Sequence, residues 1–306
     1  MEFTKYYNAK LLLTAEYQVL FGAKALAVPL RFGQRFEVIE GEEGFIIWTS
    51  IAHDGSVWFK GKYALSDFEI MECSDAGIAT YPQNLLRNAR KLNLEFCAKT
   101  MGFEVVATLN YPLLWGLGSS STLIAAVAEW AKINPFDLHF AVSKGSGYDI
   151  ACALSQGPLV YQLGGGKPVY KPVEFSPSFA DQVYFVYQGQ KQDSAQSVQK
   201  FIGHASSKDA RVVAEATALT EMLMNAESLG EFEEVMWVHE QLISKSIRMP
   251  SIRETLFSDL RGEVKSLGAW GGDFCMLTWH EEPHLLADYL KGKGISTWFN
   301  YKEIVL

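Results

Sequence analysis

The chain has 306 residues, with 27 lysines and arginines against 35 aspartates and glutamates and a formal charge of −8. That balance excludes a global electrostatic pull toward nucleic acid or an anionic membrane, so a phosphorylated partner must be held by local groups. With 48% hydrophobic and 13% aromatic residues, the chain can fill one large or two medium domain cores. Cys73, Cys97, Cys152 and Cys275 lie far apart with neither metal-ligand nor redox-pair spacing, which fits free thiols in a reducing compartment. The opening Met1–Tyr7 stretch lacks an apolar signal core and no uninterrupted apolar run approaches about 18 residues, so the expectation is a cytoplasmic protein without a membrane partner.

Residues 3–70 carry short apolar, β-branched and aromatic runs between turn signals such as Gly41-Glu42-Glu43-Gly44 and His53-Asp54-Gly55-Ser56, which predict antiparallel strands. Leu85, Leu86, Ala89, Leu92 and Phe96 at helical spacing predict a helix over 82–99, with Pro82 in its first turn. A strand follows at 103–109. Gly116-Leu117-Gly118-Ser119-Ser120-Ser121-Thr122 then runs straight into the apolar stretch 123–128. Segment 136–156 reads as helical at both ends and broken at Gly145-Ser146-Gly147, with a strand at 158–163 and a domain boundary near 170–180. Beyond it the pattern predicts strands at 182–187, 274–279 and 296–299, and helices over 192–202, 208–227, 230–246 and 251–267. The mixture predicts two α+β domains, 1–175 and 176–306, with mainly antiparallel sheets.

Three segments carry chemistry. In the 116–122 turn, glycines admit close approach of an anion, and the first N–H groups of the following helix lack intrahelical partners at the positive end of its dipole. Serine and threonine hydroxyls there suit phosphate or Mg²⁺, although an ordinary capped helix obeys the same rules. In Lys144-Gly145-Ser146-Gly147-Tyr148-Asp149, a lone carboxylate stands between glycines and small apolar residues. It suits a base or hydroxyl-orienting group, and equally a helix N-cap. Gly268-Ala269-Trp270-Gly271-Gly272-Asp273 is a glycine turn before an apolar strand, which on its own is a tight loop.

Taken with Asn8-Ala9-Lys10-Leu11-Leu12-Leu13-Thr14-Ala15-Glu16-Tyr17-Gln18-Val19, the order and spacing of these segments resemble the GHMP kinase superfamily of galacto-, homoserine, mevalonate and phosphomevalonate kinases. The resemblance spans nearly the whole chain. Lys10-Leu11-Leu12-Leu13-Thr14-Ala15-Glu16-Tyr17, Gly147-Tyr148-Asp149-Ile150-Ala151 and Gly271-Gly272-Asp273-Phe274-Cys275 resemble the phosphomevalonate kinase branch most, with mevalonate kinase close behind. Departures are Asn8-Ala9 for Pro-Gly, and Leu114, Trp115 and Trp270 where the family has small residues.

The resemblance implies an N-terminal domain like ribosomal protein S5 domain 2 and a ferredoxin-like C-terminal domain. It implies transfer of the γ-phosphoryl group of ATP to a small alcohol or phosphorylated alcohol, with phosphomevalonate first and mevalonate, a sugar or an amino-acid derivative as alternatives. A non-catalytic relative using the fold for recognition is the reading from another class. Asp149 and Lys10 take the catalytic roles; Gly116, Leu117, Gly118, Ser119, Ser120, Ser121 and Thr122 take the nucleotide phosphates. Ser120 and Glu16 take Mg²⁺. Lys144, Lys191, Ser146, Gly147, Gly271 and Gly272 take the acceptor, with Arg31 and Arg248 as further cationic candidates. A monomer or homodimer is expected, with no nucleic-acid partner.

Overall fold

The computed structural model describes residues 3–189, 201 and 209–306, so Lys191 and the helix expected over 192–202 lie outside the described residues, Phe201 excepted. The chain forms two compact units. The first gathers residues 3–9, 32–113 and 117–154, and the second gathers 10–31, 114–116 and the described residues from 155 onward.

In the first unit a sheet runs in the order β5 (Ile70–Cys73), β4 (Val57–Ala64), β3 (Phe45–Ile51), β6 (Gly102–Leu109), β2 (Ala25–Gly41, by its later half). All its pairs are antiparallel except β3 with β6. Alternation drives the strands: in β3, Ile46, Trp48 and Ser50 face inward while their neighbours are half-exposed. Helix α1 (Ala76–Leu92) begins where Asp75 accepts the Ile78 N–H, and buries Ala79, Pro82, Leu85, Leu86 and Ala89 on one stripe. It therefore starts before the expected residue 82, and Pro82 lies inside it. The stripe continues through Pro82, and the Asp75 cap rather than the proline sets the start. Helices α2 (Ser119–Trp130), α3 (Pro135–Val142) and α4 (Tyr148–Leu154) complete the unit. Leu123–Ala128, Leu138, Ile150 and Ala153 join Phe36, Trp48 and Val105 in one apolar core.

The second unit holds β7 (Leu159–Gly164) and β8 (Lys167–Pro172), with β7 against residues 25–27 of β2, and a four-stranded antiparallel sheet. That sheet runs β10 (Val264–Ser266), β11 (Phe274–Thr278), β9 (Val183–Tyr187), β12 (Trp298–Asn300). Helices α5 (Ala210–Met224), α6 (Leu229–Ile247), α7 (Ile252–Thr255), α8 (Pro283–Gly292) and α9 (Tyr301–Ile304) accompany it. The single helix expected over 251–267 is a short capped turn followed by β10. The Arg253 guanidinium takes the carbonyls of Leu260 and Gly262 and turns the chain back, while a Cβ at Gly262 would stand 2.2 Å from the Thr278 carbonyl. Among the described residues no helix is long and apolar enough to cross a membrane.

Candidate functional site

The first unit assembles the later part of the Gly/Ser turn and the Asp149 segment. Gly118 caps α2 with φ +101° and offers no side chain, so the first-turn amides are left for an outside acceptor. Intrahelical bonding starts at Thr122, whose N–H donates to the Gly118 carbonyl. The Ser121 hydroxyl turns back to Gly118 O at 2.7 Å, and Thr122 Oγ1 lies 2.6 Å from Gln34 Oε1. Both hydroxyls are buried, whereas Ser120 is exposed. Hence the backbone amides of Ser119, Ser120 and Ser121 can face an anion, and Ser120 can also present its hydroxyl.

Asp149 sits half-buried in the first turn of α4, with Oδ1 accepting the Ile150 N–H at 3.1 Å. The cap position falls to Gly147, at φ +89°, whose carbonyl takes the Ile150 and Ala151 amides. The glycine turn before it is braced by His139 Nε2, 3.1 Å from Gly145 O, and by the Ser143 hydroxyl accepting the Gly145 N–H. Ser146 and Gly147 are buried and Lys144 is exposed.

Tyr81 ties these pieces together and was not singled out in the sequence. From α1 its hydroxyl donates to Ser120 O at 3.1 Å; burial pushes its phenol well up, and the negative charge of Asp149 adds to that. A tyrosine on an amphipathic helix far from either glycine segment gives no local signal of such a role.

The second unit holds Lys10, Glu16, Gly116, Gly271 and Gly272. Lys10, half-buried near the end of β1 (Phe3–Leu12), donates from Nζ to Gly116 O at 3.4 Å. Gly116 has φ +70°, and the Asp273 carboxylate packs on its Cα, so that a Cβ there would stand 2.5 Å from Oδ1. Asp273 is itself left-handed at φ +52°. Gln188 fixes that turn, with its N–H on Asp273 O and its side chain on Gly272 O. Trp115 rests on Tyr187, Phe274 and Phe299, while Leu114 is exposed. Trp270 is buried with Tyr17, Phe201 and Ile243, so its bulk goes into the core. Arg31 and Arg248 are exposed.

Glu16, expected beside Mg²⁺, is fully enclosed. Its Oε1 pairs with Lys265 Nζ at 2.5 Å, and Lys265 is also wholly buried. Burial raises the Glu16 carboxyl to about 7, opposed by Lys265 and assisted by Glu240. Oε2 lies 3.6 Å from His239 Nε2. That nitrogen accepts the Ala15 N–H at 2.8 Å, so the ring is neutral with its proton on Nδ1 and the approach carries no ionic attraction. Burial and the Lys265 charge likewise hold this imidazole well below its ordinary value. Glu240, also raised by burial, accepts from Ile252 N, Ser266 N and Ser266 Oγ. Lys265 was missed: it stands between Val264 and Ser266, two positions after Glu263, and that polar setting gives no local sign of burial.

No protein-family model matches the chain, and no curated protein matches it in sequence. Solved structures do. The Methanococcus jannaschii mevalonate kinase superposes with TM-score 0.68 at 18% identity, covering 98% of each chain. Streptococcus pneumoniae phosphomevalonate kinase in complex with phosphomevalonate and AMPPNP gives 0.69 at 16%, covering 97% of this chain and 99% of that one. Lactococcus lactis galactokinase complexed with galactose gives 0.68 at 13%, covering 98% and 92%. The chain therefore has the two-domain α+β fold of the GHMP kinases, as its motifs led one to expect.

Proposed function

We propose that the protein is an ATP-dependent small-molecule kinase that transfers a phosphoryl group to an alcohol of the mevalonate type, with phosphomevalonate as the preferred acceptor. The observation that carries this is the glycine-capped start of α2, where free first-turn amides, an exposed Ser120 and the Tyr81 hydroxyl stand in the same unit as Asp149. The fold shared with phosphomevalonate, mevalonate and galactose kinases supports it. The Gly271-Gly272-Asp273-Phe274-Cys275 run, by its resemblance to the phosphomevalonate branch, supports that acceptor.

The residues fit a nucleotide with Mg²⁺. No group of three or more His, Cys, Asp or Glu side chains among the described residues could cage a metal, but Mg²⁺ on a nucleotide needs only one or two protein oxygens beside phosphates and water. Ser120 supplies one such oxygen. When bound, the ion neutralises phosphate charge and aligns the transferred group. The amides of residues 119–121 bind phosphate oxygens. Asp149 accepts or orients the acceptor hydroxyl proton at its carboxylate, and Lys10, whose ammonium donates to the Gly116 carbonyl, supplies positive charge for the transferred group. Glu16 would have to leave Lys265 to reach an ion, so we assign it to the protein interior. Lys144 and Lys191 remain the proposed clamps for a phosphorylated acceptor, with Ser146, Gly147, Gly271 and Gly272 shaping its site.

The test is acceptor-dependent ADP release with Mg-ATP across phosphomevalonate, mevalonate, sugars and amino alcohols, with Asp149→Asn as the blank. Turnover on phosphomevalonate alone is the expected result. Mg-ATP binding with no turnover on any acceptor would overturn the proposal.

A further inference from the structure

The second unit buries more charge than its apolar core requires. Glu16, Lys265, His239 and Glu240 are each at most 2% exposed. Taking such groups out of water is costly, and a well-packed apolar set would fold as well or better. Their arrangement shows what they hold.

Ala15 and Tyr17, neither of them glycine, have φ of +59° and +63°. Such backbone persists only where its surroundings over-determine it. Here His239 Nε2 takes the Ala15 N–H, the Trp270 N–H donates to the Tyr17 hydroxyl, and Gln18 Nε2 donates to the Ser246 hydroxyl. Upstream, the Leu13 N–H donates to Leu26 O, and the Leu26 N–H donates to the Thr14 hydroxyl. This strained segment is the direct continuation of the strand that carries Lys10.

The glycine turn is held from its other side by the same groups. Lys265 Nζ donates to Ser266 O at 2.8 Å as well as to Glu16, and Glu240 accepts both Ser266 donors. Residues 268–273 then lead to Asp273, whose carboxylate abuts Gly116, and Lys10 reaches the Gly116 carbonyl. The contacts form a closed circuit. Lys10 and the end of the turn meet at Gly116; the far ends of both segments meet at Glu16 with Lys265 and at Tyr17 with Trp270.

We propose that the buried Glu16–Lys265 pair, with His239, is a frame that fixes the Lys10 ammonium relative to the 268–273 turn, and that Lys265 and His239 are positioning residues for phosphoryl transfer. The proposal rests on the kinase reading for its catalytic consequence and on the contacts alone for the frame. It also removes Glu16 from the ion: an enclosed carboxylate on a lysine leaves no room for the waters that Mg²⁺ keeps.

The experiment uses the full chain and the variants Glu16→Gln, Lys265→Met, their double, His239→Leu and His239→Gln. Folding of each is checked by circular dichroism and thermal unfolding. Two quantities are read: the rate of Lys10 acylation by acetic anhydride, by peptide mass spectrometry relative to exposed Lys60, and kcat and KM for Mg-ATP per folded molecule. Lys265→Met should raise Lys10 labelling severalfold and lower kcat about tenfold or more with KM for Mg-ATP little changed, because misplacing a reacting group costs rate rather than binding. The double variant should recover both in large part, since Glu16→Gln removes the buried charge that Lys265→Met leaves without its partner. His239→Gln, which keeps an acceptor for the Ala15 N–H, should outperform His239→Leu in both readouts and decides the matter where Lys265→Met does not fold. Wild-type labelling and wild-type kcat per folded molecule in every single variant would overturn the frame. So would a raised Mg²⁺ requirement in Glu16→Gln that the double variant fails to repair. A wild-type protein with no turnover would sink the kinase reading, and Lys10 labelling would still decide the frame.

Discussion

Replacing Gly116 by alanine separates two costs that the structure makes unequal. The backbone there has φ +70°, which a residue with a Cβ occupies at about 1 to 2 kcal/mol. The new Cβ would also stand 2.5, 2.6 and 2.7 Å from Oδ1, Cγ and Oδ2 of Asp273. The Asp273 backbone cannot retreat, because its carbonyl holds the Gln188 N–H at 2.8 Å, so the carboxylate must rotate out of its packed position. Overpacking of this kind adds about 1 to 3 kcal/mol. Gly165→Ala is the control: φ is +59° and nothing lies within 4 Å, so only the backbone cost applies. Urea unfolding of wild type, Gly116→Ala, Gly165→Ala, Asp273→Gly and the Gly116→Ala/Asp273→Gly double gives a cycle whose coupling energy should be about 1 to 3 kcal/mol. Equal losses in Gly116→Ala and Gly165→Ala, or no recovery in the double, would refute the packing of Asp273 on the loop.

Asp149→Asn should lower kcat by about 10² to 10⁴ while the Kd for Mg-ATP, measured by calorimetry, stays at the wild-type value. Thr122→Val leaves the Gln34 carbonyl oxygen without its buried donor and should destabilise by about 1 to 3 kcal/mol in urea unfolding, whereas exposed Ser120→Ala should leave stability unchanged and weaken Mg-ATP use. The pH dependence of stability should show two opposed slopes. Glu16, raised to about 7 from an ordinary 4.5 by burial beside Lys265, Glu240 and neutral His239, binds a proton in the folded state that the unfolded chain has released. Its contribution is full below pH 4.5 and falls as pH rises through 7, a loss of up to about 3 kcal/mol that Glu16→Gln should abolish. His239, held below 6.5, acts the other way: the unfolded chain takes up a proton as pH falls below 6.5, and stability falls with it. Urea midpoints between pH 5 and 8 check both signs.

Local features of this chain were legible because their causes are local. The glycine turn at Gly116–Gly118 with a helix after it, and the break at Gly145-Ser146-Gly147, follow from neighbouring residue types, and the structure has both, although α2 begins at Ser119 inside the expected turn and α4 at Tyr148, ahead of the expected cap at Asp149. The start of α1 was misplaced because Pro82 looked like a first-turn residue, while the capping Asp75 lay outside the window of the apolar stripe. The false helix over 251–267 arose because Arg253, the residue that folds the chain back, acts through carbonyls rather than through any helix-breaking signal in the sequence. Partnerships were the least legible. Glu16 meets Lys265 from 249 positions away, and Tyr81 meets Ser120 from 39, so neither can be read from spacing. Trp270 shows the converse: a residue that seems to crowd a glycine turn is absorbed by Tyr17 and Ile243.

Phosphoryl transfer itself is the most direct test. Phosphorus NMR of the protein with Mg-ATP and phosphomevalonate should show ADP and a new diphosphate product growing in equal amounts, with neither in Asp149→Asn. ADP appearing with inorganic phosphate alone, or ATP persisting unchanged with each acceptor in turn, would contradict the account.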